Sequence, residues 1–303
     1  MEALARFYEG TKIVELPKPR VHAQEVLVEV KAAGICRTDL MVHRGETSVA
    51  DGMVLGHECS GIVAGKGSMV EDDLALGQRV CVNPILACGD CRGCHIGEGC
   101  GHFRQLGVHR PGVFAQFVAV PRSAVYAIPP SMSDLEGAYV EPVAATLGVL
   151  APGIQLKGAG ALVGAGRIAD LTAMVLGASG VSFKRVSTGD LKTGPSDVYD
   201  FVIEAEDCQK AMADLQRSLK FRGVLILKSR LKTTLQFIPA LWINKEITVH
   251  FAGYGSFQDA IQWINSKRLD LTPMMGECVP LERWRQLFDL AGANEERKHF
   301  FVF

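Results

Sequence analysis

Cys88, Cys91, Cys94 and Cys100 lie within CGDCRGCHIGEGC, separated by two, two and five residues, in a chain with nine cysteines among 303 residues. A loop with that spacing can wrap four thiolates around one tetrahedral ion. Four sulfur ligands leave no coordination position for a substrate, so the site is structural, and zinc is the first metal for it. An iron–sulfur cluster is the alternative, since bacterial ferredoxins use a related run, but there the last gap is three residues and a proline follows. Here Gly101 follows Cys100, and no second cysteine run accompanies the first.

A second set comes from separated stretches: Cys36 in GICRTDL, His57 and Glu58 in VLGHECSG, and Glu141 in YVEPVA. Taken singly, each has an ordinary role. A cysteine after a strand is a small core hydrophobe, a histidine is a satisfied polar residue, and a glutamate before proline sits at a helix start. Taken together, a thiolate, an imidazole and a carboxylate make a three-ligand zinc site with an open fourth position, which is what catalysis requires.

The elements that must hold these residues fall into successive textures. Over residues 1 to about 130, EVLVEVKAAG, QRVCVNP and FAQFVAVP alternate with glycine and proline turns and predict a partly closed antiparallel β-domain. From residue 160 the pattern changes. GALVGAG is a strand entering a glycine turn, IADLTAMVLGA a helix, FVIEA a buried strand, AMADLQRSL a helix and GVLILK another strand. That alternation predicts a doubly wound parallel sheet. FQDAIQWINS and LERWRQLFDL read as amphipathic helices near the end.

Composition fits two soluble domains, with 48% hydrophobic residues, 21% charged residues and a formal net charge of -1. Nothing in it recruits nucleic acid or a membrane surface. MEALARFYEG lacks the features of a signal peptide, so the expected location is the cytoplasm, where closely spaced cysteines serve metals better than disulfides.

GICRTDL, GHECSGIV, CGDCRGC, GVFAQF, EPVA and VGAG, in this order, resemble the zinc-dependent medium-chain dehydrogenases, the alcohol, sorbitol and threonine dehydrogenase family. The resemblance covers nearly the whole chain. It implies an α/β protein with a partly closed β-rich, GroES-like catalytic domain and a truncated doubly wound, Rossmann-like domain. The implied division is a zinc-binding catalytic domain at 1–143 and 267–303 around a dinucleotide-binding domain at 144–266. It also implies that Cys36 and His57 ligate a catalytic zinc, with Glu58 beside them as a ligand or an exchanging carboxylate. Glu141 stands where the polyol and threonine branch has glutamate and other alcohol dehydrogenases have cysteine, which points to a polar secondary alcohol. Thr38 takes the family's hydroxyl position for passing on the alcohol proton, and Asp39 orients the zinc site. Met41 replaces the relay histidine of some members, and His43 is near but not at the matching position.

The cofactor half departs from the family. Gly164 and Gly166 fit a dinucleotide turn, Ala169 replaces the third glycine, and Arg167 stands where proline is common. The turn can present amides and a helix N-terminus to a phosphate, with Arg167 adding a charged contact. An acidic residue about 20 positions on, followed by another helix and strand, completes such a fold. Here only about fourteen residues, rich in Ser, Thr, Gly, Asp and Pro, separate Val186 from FVIEA. Such composition reads as loop, and one βα unit is missing. Lys184 and Arg185 at the second strand end would suit an NADP 2′-phosphate or merely charge a solvated edge. Asp190 is the nearest carboxylate for an NAD ribose.

Three readings follow. The leading one is a zinc-dependent oxidoreductase interconverting a polar secondary alcohol or polyol and its ketone, with catalytic and structural zinc and NAD or NADP. The second is a redox-neutral zinc lyase, hydratase or isomerase with a degenerate cofactor site, and the third an iron–sulfur electron carrier. The expected partner is a small-molecule substrate, and the expected assembly a homodimer or homotetramer joined through the edge around TVHFAGYG.

Overall fold

The ten-residue strand Glu25–Gly34 is the spine of the first of two units. The computed structural model describes residues 1–303 except 72, 97–98, 207, 231–233 and 294–295. One unit comprises Met1–Glu141 with Ile261–Phe303, the other Pro142–Ala260. Val26, Val28 and Val30 alternate along the spine and are fully buried, as the period-two pattern of an inward-facing strand requires.

One side of the spine pairs antiparallel with Glu58–Lys66. The other side pairs first with Phe117–Pro121 and then, toward its end, with Lys298–Val302. These pairings belong to a seven-stranded sheet, and Glu2–Phe7 centres a separate three-stranded sheet. The antiparallel expectation holds for the strand pairs within residues 1 to about 130, and Met275–Val279, outside that stretch, runs parallel to Lys298–Val302. The register brings Gly34 opposite both Glu58 and Phe300. Gly34 has to be glycine at that meeting point, because a Cβ there would lie 2.5 Å from Glu58 Oε2 and 3.1 Å from Lys298 Cδ.

The second unit holds five parallel strands in the order Phe183–Val186, Gly160–Val163, Tyr199–Glu204, Leu219–Leu227, Thr248–Phe251. Residues Ala161, Leu162 and Val163 of the second strand in this order are fully buried, as in a sheet covered on both faces. A six-strand dinucleotide sheet would carry a further strand outside the second. Among the described residues none stands there, and Phe183–Val186 is the edge.

The loop reading of the next segment needs correction. Thr188–Thr193 forms a short helix whose Ser187 side chain accepts from the Asp190 amide. The Asp190 carboxylate in turn accepts from the Ser187 amide and hydroxyl, at 2.8 Å each. Ser-x-x-Asp is a reciprocal helix start, and it overrides the turn-forming composition around it. No helix of the described residues is long and apolar enough to cross a membrane.

Candidate functional site

Cys36 lies two residues past the end of the spine strand and precedes the helix Arg37–His43. Asp39, three residues on and 2% exposed, folds back so that its carboxylate accepts the Cys36 amide at 2.8 Å and the Gly56 amide at 3.1 Å. The same carboxylate lies 3.3 Å from His57 Nδ1. One side chain thus fixes both chain segments that carry the candidate ligands. The sulfur of Cys36, a ring nitrogen of His57 and a carboxylate oxygen of Glu58 lie within 4.8 Å of one another.

Anionic neighbours surround the His57 ring. Burial alone would lower the His57 pKa, but the Asp39 carboxylate and the Cys36 thiol outweigh it and hold the ring well above the usual histidine range. A carboxylate behind an imidazole is the usual support of a metal-bound histidine. Burial raises the Glu58 pKa, the Lys298 ammonium opposes that, and the Glu141 charge reinforces it. A sulfur, a nitrogen and an oxygen donor, all drawn from buried or half-buried residues, suit zinc.

Glu141 is 5% exposed and acts on Glu58 through its charge, but it is not part of the set that closes within 4.8 Å. Thr38 is half-buried, with Oγ1 4.0 Å from Cys36 Sγ. Sequence reasoning missed Lys298. Its side chain is 1% exposed, its ammonium pairs with Glu58 Oε2 and donates to the Ile35 carbonyl at 3.3 Å, and it lies 5.6 Å from the Tyr139 ring centre. The available signal was a lysine opening the apolar strand KHFFV.

The four cysteines of the loop also converge. Their sulfurs are 3.5 Å apart for Cys91–Cys94 and Cys88–Cys100, and 3.9 Å for Cys88–Cys94 and Cys91–Cys100. A tetrahedron of thiolates about 2.3 Å from zinc has sulfurs about 3.8 Å apart. The loop therefore fits a single ion, and the iron–sulfur reading gives way to a structural metal. Contacts from the Cys94 backbone and thiol bring the Cys91 pKa down to about 6, whereas burial and the Cys91 contact push Cys94 up to about 12.

In the second unit the strand Gly160–Val163 ends in Gly164 at φ 137° and Gly166 at φ 78°, and Gly166 precedes the helix Arg167–Ala178. The strand, turn and helix start form an arrangement suited to a phosphate. Arg167 opens the helix, and Ala169 is fully buried, which suits close packing of helix on sheet. The strand end expected to take an adenosine ribose is otherwise engaged. Arg185 donates to the Gly164 carbonyl at 3.1 Å and pairs with Asp170, and Asp190 caps its own helix.

Comparison with known proteins gives consistent relatives. Residues 22–130 match the alcohol dehydrogenase GroES-like domain. An L-threonine 3-dehydrogenase of Bacillus velezensis is 33% identical over 93% of this chain and 92% of its own length. Another, from Chelativorans sp., is 32% identical over 72% of this chain, which spans 66% of that relative's length. An alcohol dehydrogenase structure from Escherichia coli CFT073, complexed with cofactor NADH, superposes with a TM-score of 0.89 at 21% identity. That alignment covers 100% of this chain and 99% of the other, and is a likeness of fold.

Proposed function

Because the chain belongs to the zinc-dependent medium-chain dehydrogenase family, we propose that it interconverts a polar secondary alcohol or polyol and the corresponding ketone with NAD or NADP. The observation that carries this reading is the buried convergence of Cys36, His57 and Glu58, with Asp39 behind His57. L-Threonine, named for the relatives, is itself a polar secondary alcohol. The same relatives disfavour the redox-neutral reading.

A bound zinc supplies Lewis acidity that lowers the pKa of a nearby alcohol, and oxidised nicotinamide accepts hydride, so alcohol and NAD(P)+ yield ketone, NAD(P)H and a proton. Cys36 and His57 hold the metal, with Glu58 or Glu141 as the third donor. Asp39 fixes the His57 ring, and Lys298 balances the charge of buried Glu58. Thr38 Oγ1 takes up the alcohol proton. Met41 has no exchangeable proton, so water completes its exit. Gly164, Gly166, Arg167 and Ala169 form the cofactor turn, and Cys88, Cys91, Cys94 and Cys100 hold a structural zinc.

The protein acts on a small molecule in the cytoplasm as a homodimer or homotetramer. Closely spaced cysteines that converge as metal ligands support a reducing compartment. The edge strand Thr248–Phe251, with Val249 37% and Phe251 79% exposed, supports self-association. The test is a screen of zinc-loaded protein against polar secondary alcohols, L-threonine included, with NAD+ and NADP+ followed by nicotinamide absorbance. Turnover of at least one pair is expected, and no turnover with any pair contradicts the reading.

A further inference from the structure

The Ala165 amide of the glycine turn already has a carboxylate on it. Glu206 Oε2 accepts from Ala165 N–H at 3.2 Å. Glu206 reaches this amide from the neighbouring strand end, just past Tyr199–Glu204, and the register of Val163 opposite Glu204 brings the two segments together. The approach is close: a Cβ on Gly164 would lie 3.1 Å from the Ala205 carbonyl carbon and 3.2 Å from the Glu206 nitrogen. In the sheet, Gly160–Val163 and Tyr199–Glu204 are the two strands from which the chain winds in opposite directions, and ligands of such sheets bind outside the strand ends at that point. The carboxylate therefore stands where an anionic ligand of the turn would be received.

We propose that Glu206 is an affinity-setting gate of the dinucleotide site, occupying with its carboxylate the turn amide that a pyrophosphate oxygen would take. The dinucleotide half of this proposal rests on the function argued above. Binding of a diphosphate has to displace Glu206 from Ala165 and place two anions near each other, so the turn holds its cofactor more weakly than its backbone alone would. Arg185 does not offset the charge, because its guanidinium is committed to the Gly164 carbonyl and the Asp170 carboxylate. Loss of the Glu206 charge restores the amide to the ligand.

The test titrates inorganic pyrophosphate and NADH separately into the full chain, Glu206→Gln, Glu206→Ala and, as a control for net charge, exposed Glu282→Gln, all checked for an unchanged melting temperature. Glu206→Gln and Glu206→Ala are expected to bind both ligands at least about fivefold more tightly than the parent, with Glu282→Gln unchanged. Equal or weaker pyrophosphate binding by both Glu206 variants, or no pyrophosphate binding by any protein, overturns the gate. NADH bound equally by parent and Glu206 variants also overturns it while the dehydrogenase reading stands. Tighter pyrophosphate binding with no NADH binding by any protein upholds the carboxylate's hold on the turn and removes the dinucleotide reading instead.

Discussion

Lys298 places its ammonium against the Glu58 carboxylate across 240 residues of sequence, and both side chains are at most 2% exposed. Their strands flank the same end of Glu25–Gly34, and Gly34 leaves the space in which they meet. Removing one member of a buried pair strands the other charge. Lys298→Met is therefore expected to cost about 3–5 kcal/mol of stability in denaturant unfolding. Glu58→Gln added to Lys298→Met should recover a large part of that loss, and additive losses in the double variant would contradict a coupled pair.

The cysteine loop is separable from the buried ligand set. Cys91→Ser opens a four-thiolate site whose other sulfurs cannot close the tetrahedron, so one zinc per chain should be lost and the melting temperature should fall. Zinc at the Cys36 and His57 site should remain. Metal analysis beside a thermal melt reads both effects, and an undiminished melting temperature with full zinc content would contradict a structural role.

Asp200 links the start of its strand to the turn before the neighbouring strand Gly160–Val163, accepting the Ala159 amide at 2.7 Å and pairing with Lys220 at 2.8 Å. The Lys220 bond and then the Ala159 amide hold its carboxyl below the usual aspartate range. A depressed folded-state pKa contributes stability above the unfolded value, about 3.9, and that contribution fades as the pH falls through the folded value. Asp200→Asn should thus lower the melting temperature at pH 7, and the gap from the parent should narrow below about pH 4. A gap that widens in acid would contradict the assignment.

Local spacing made much of this legible. The cysteine loop could be read directly because its ligands share one short segment. Cys36 and His57 became candidates through flanking motifs, and their geometry then came from Asp39, whose bonds to Cys36 and Gly56 span separate segments. Lys298 was hidden because its partner is set by strand register rather than by nearby sequence. The helix Thr188–Thr193 was missed because Ser187, Thr188, Gly189 and Asp190 are equally good turn formers, and the reciprocal Ser187–Asp190 bonds decide between the two. Glu206 reads as an ordinary residue after a strand, and its position on Ala165 depends on which strands become neighbours.

Cys36 and His57, with Glu58 or Glu141 as the third donor, are proposed to hold a zinc that acts on substrate. That role is tested most directly by comparing zinc content and alcohol turnover of the parent and His57→Ala on one polar secondary alcohol that the parent oxidises. Two zinc ions per chain are predicted for the parent and one for the folded variant, with turnover reduced at least about a thousandfold. A His57→Ala protein that keeps full turnover would contradict the account.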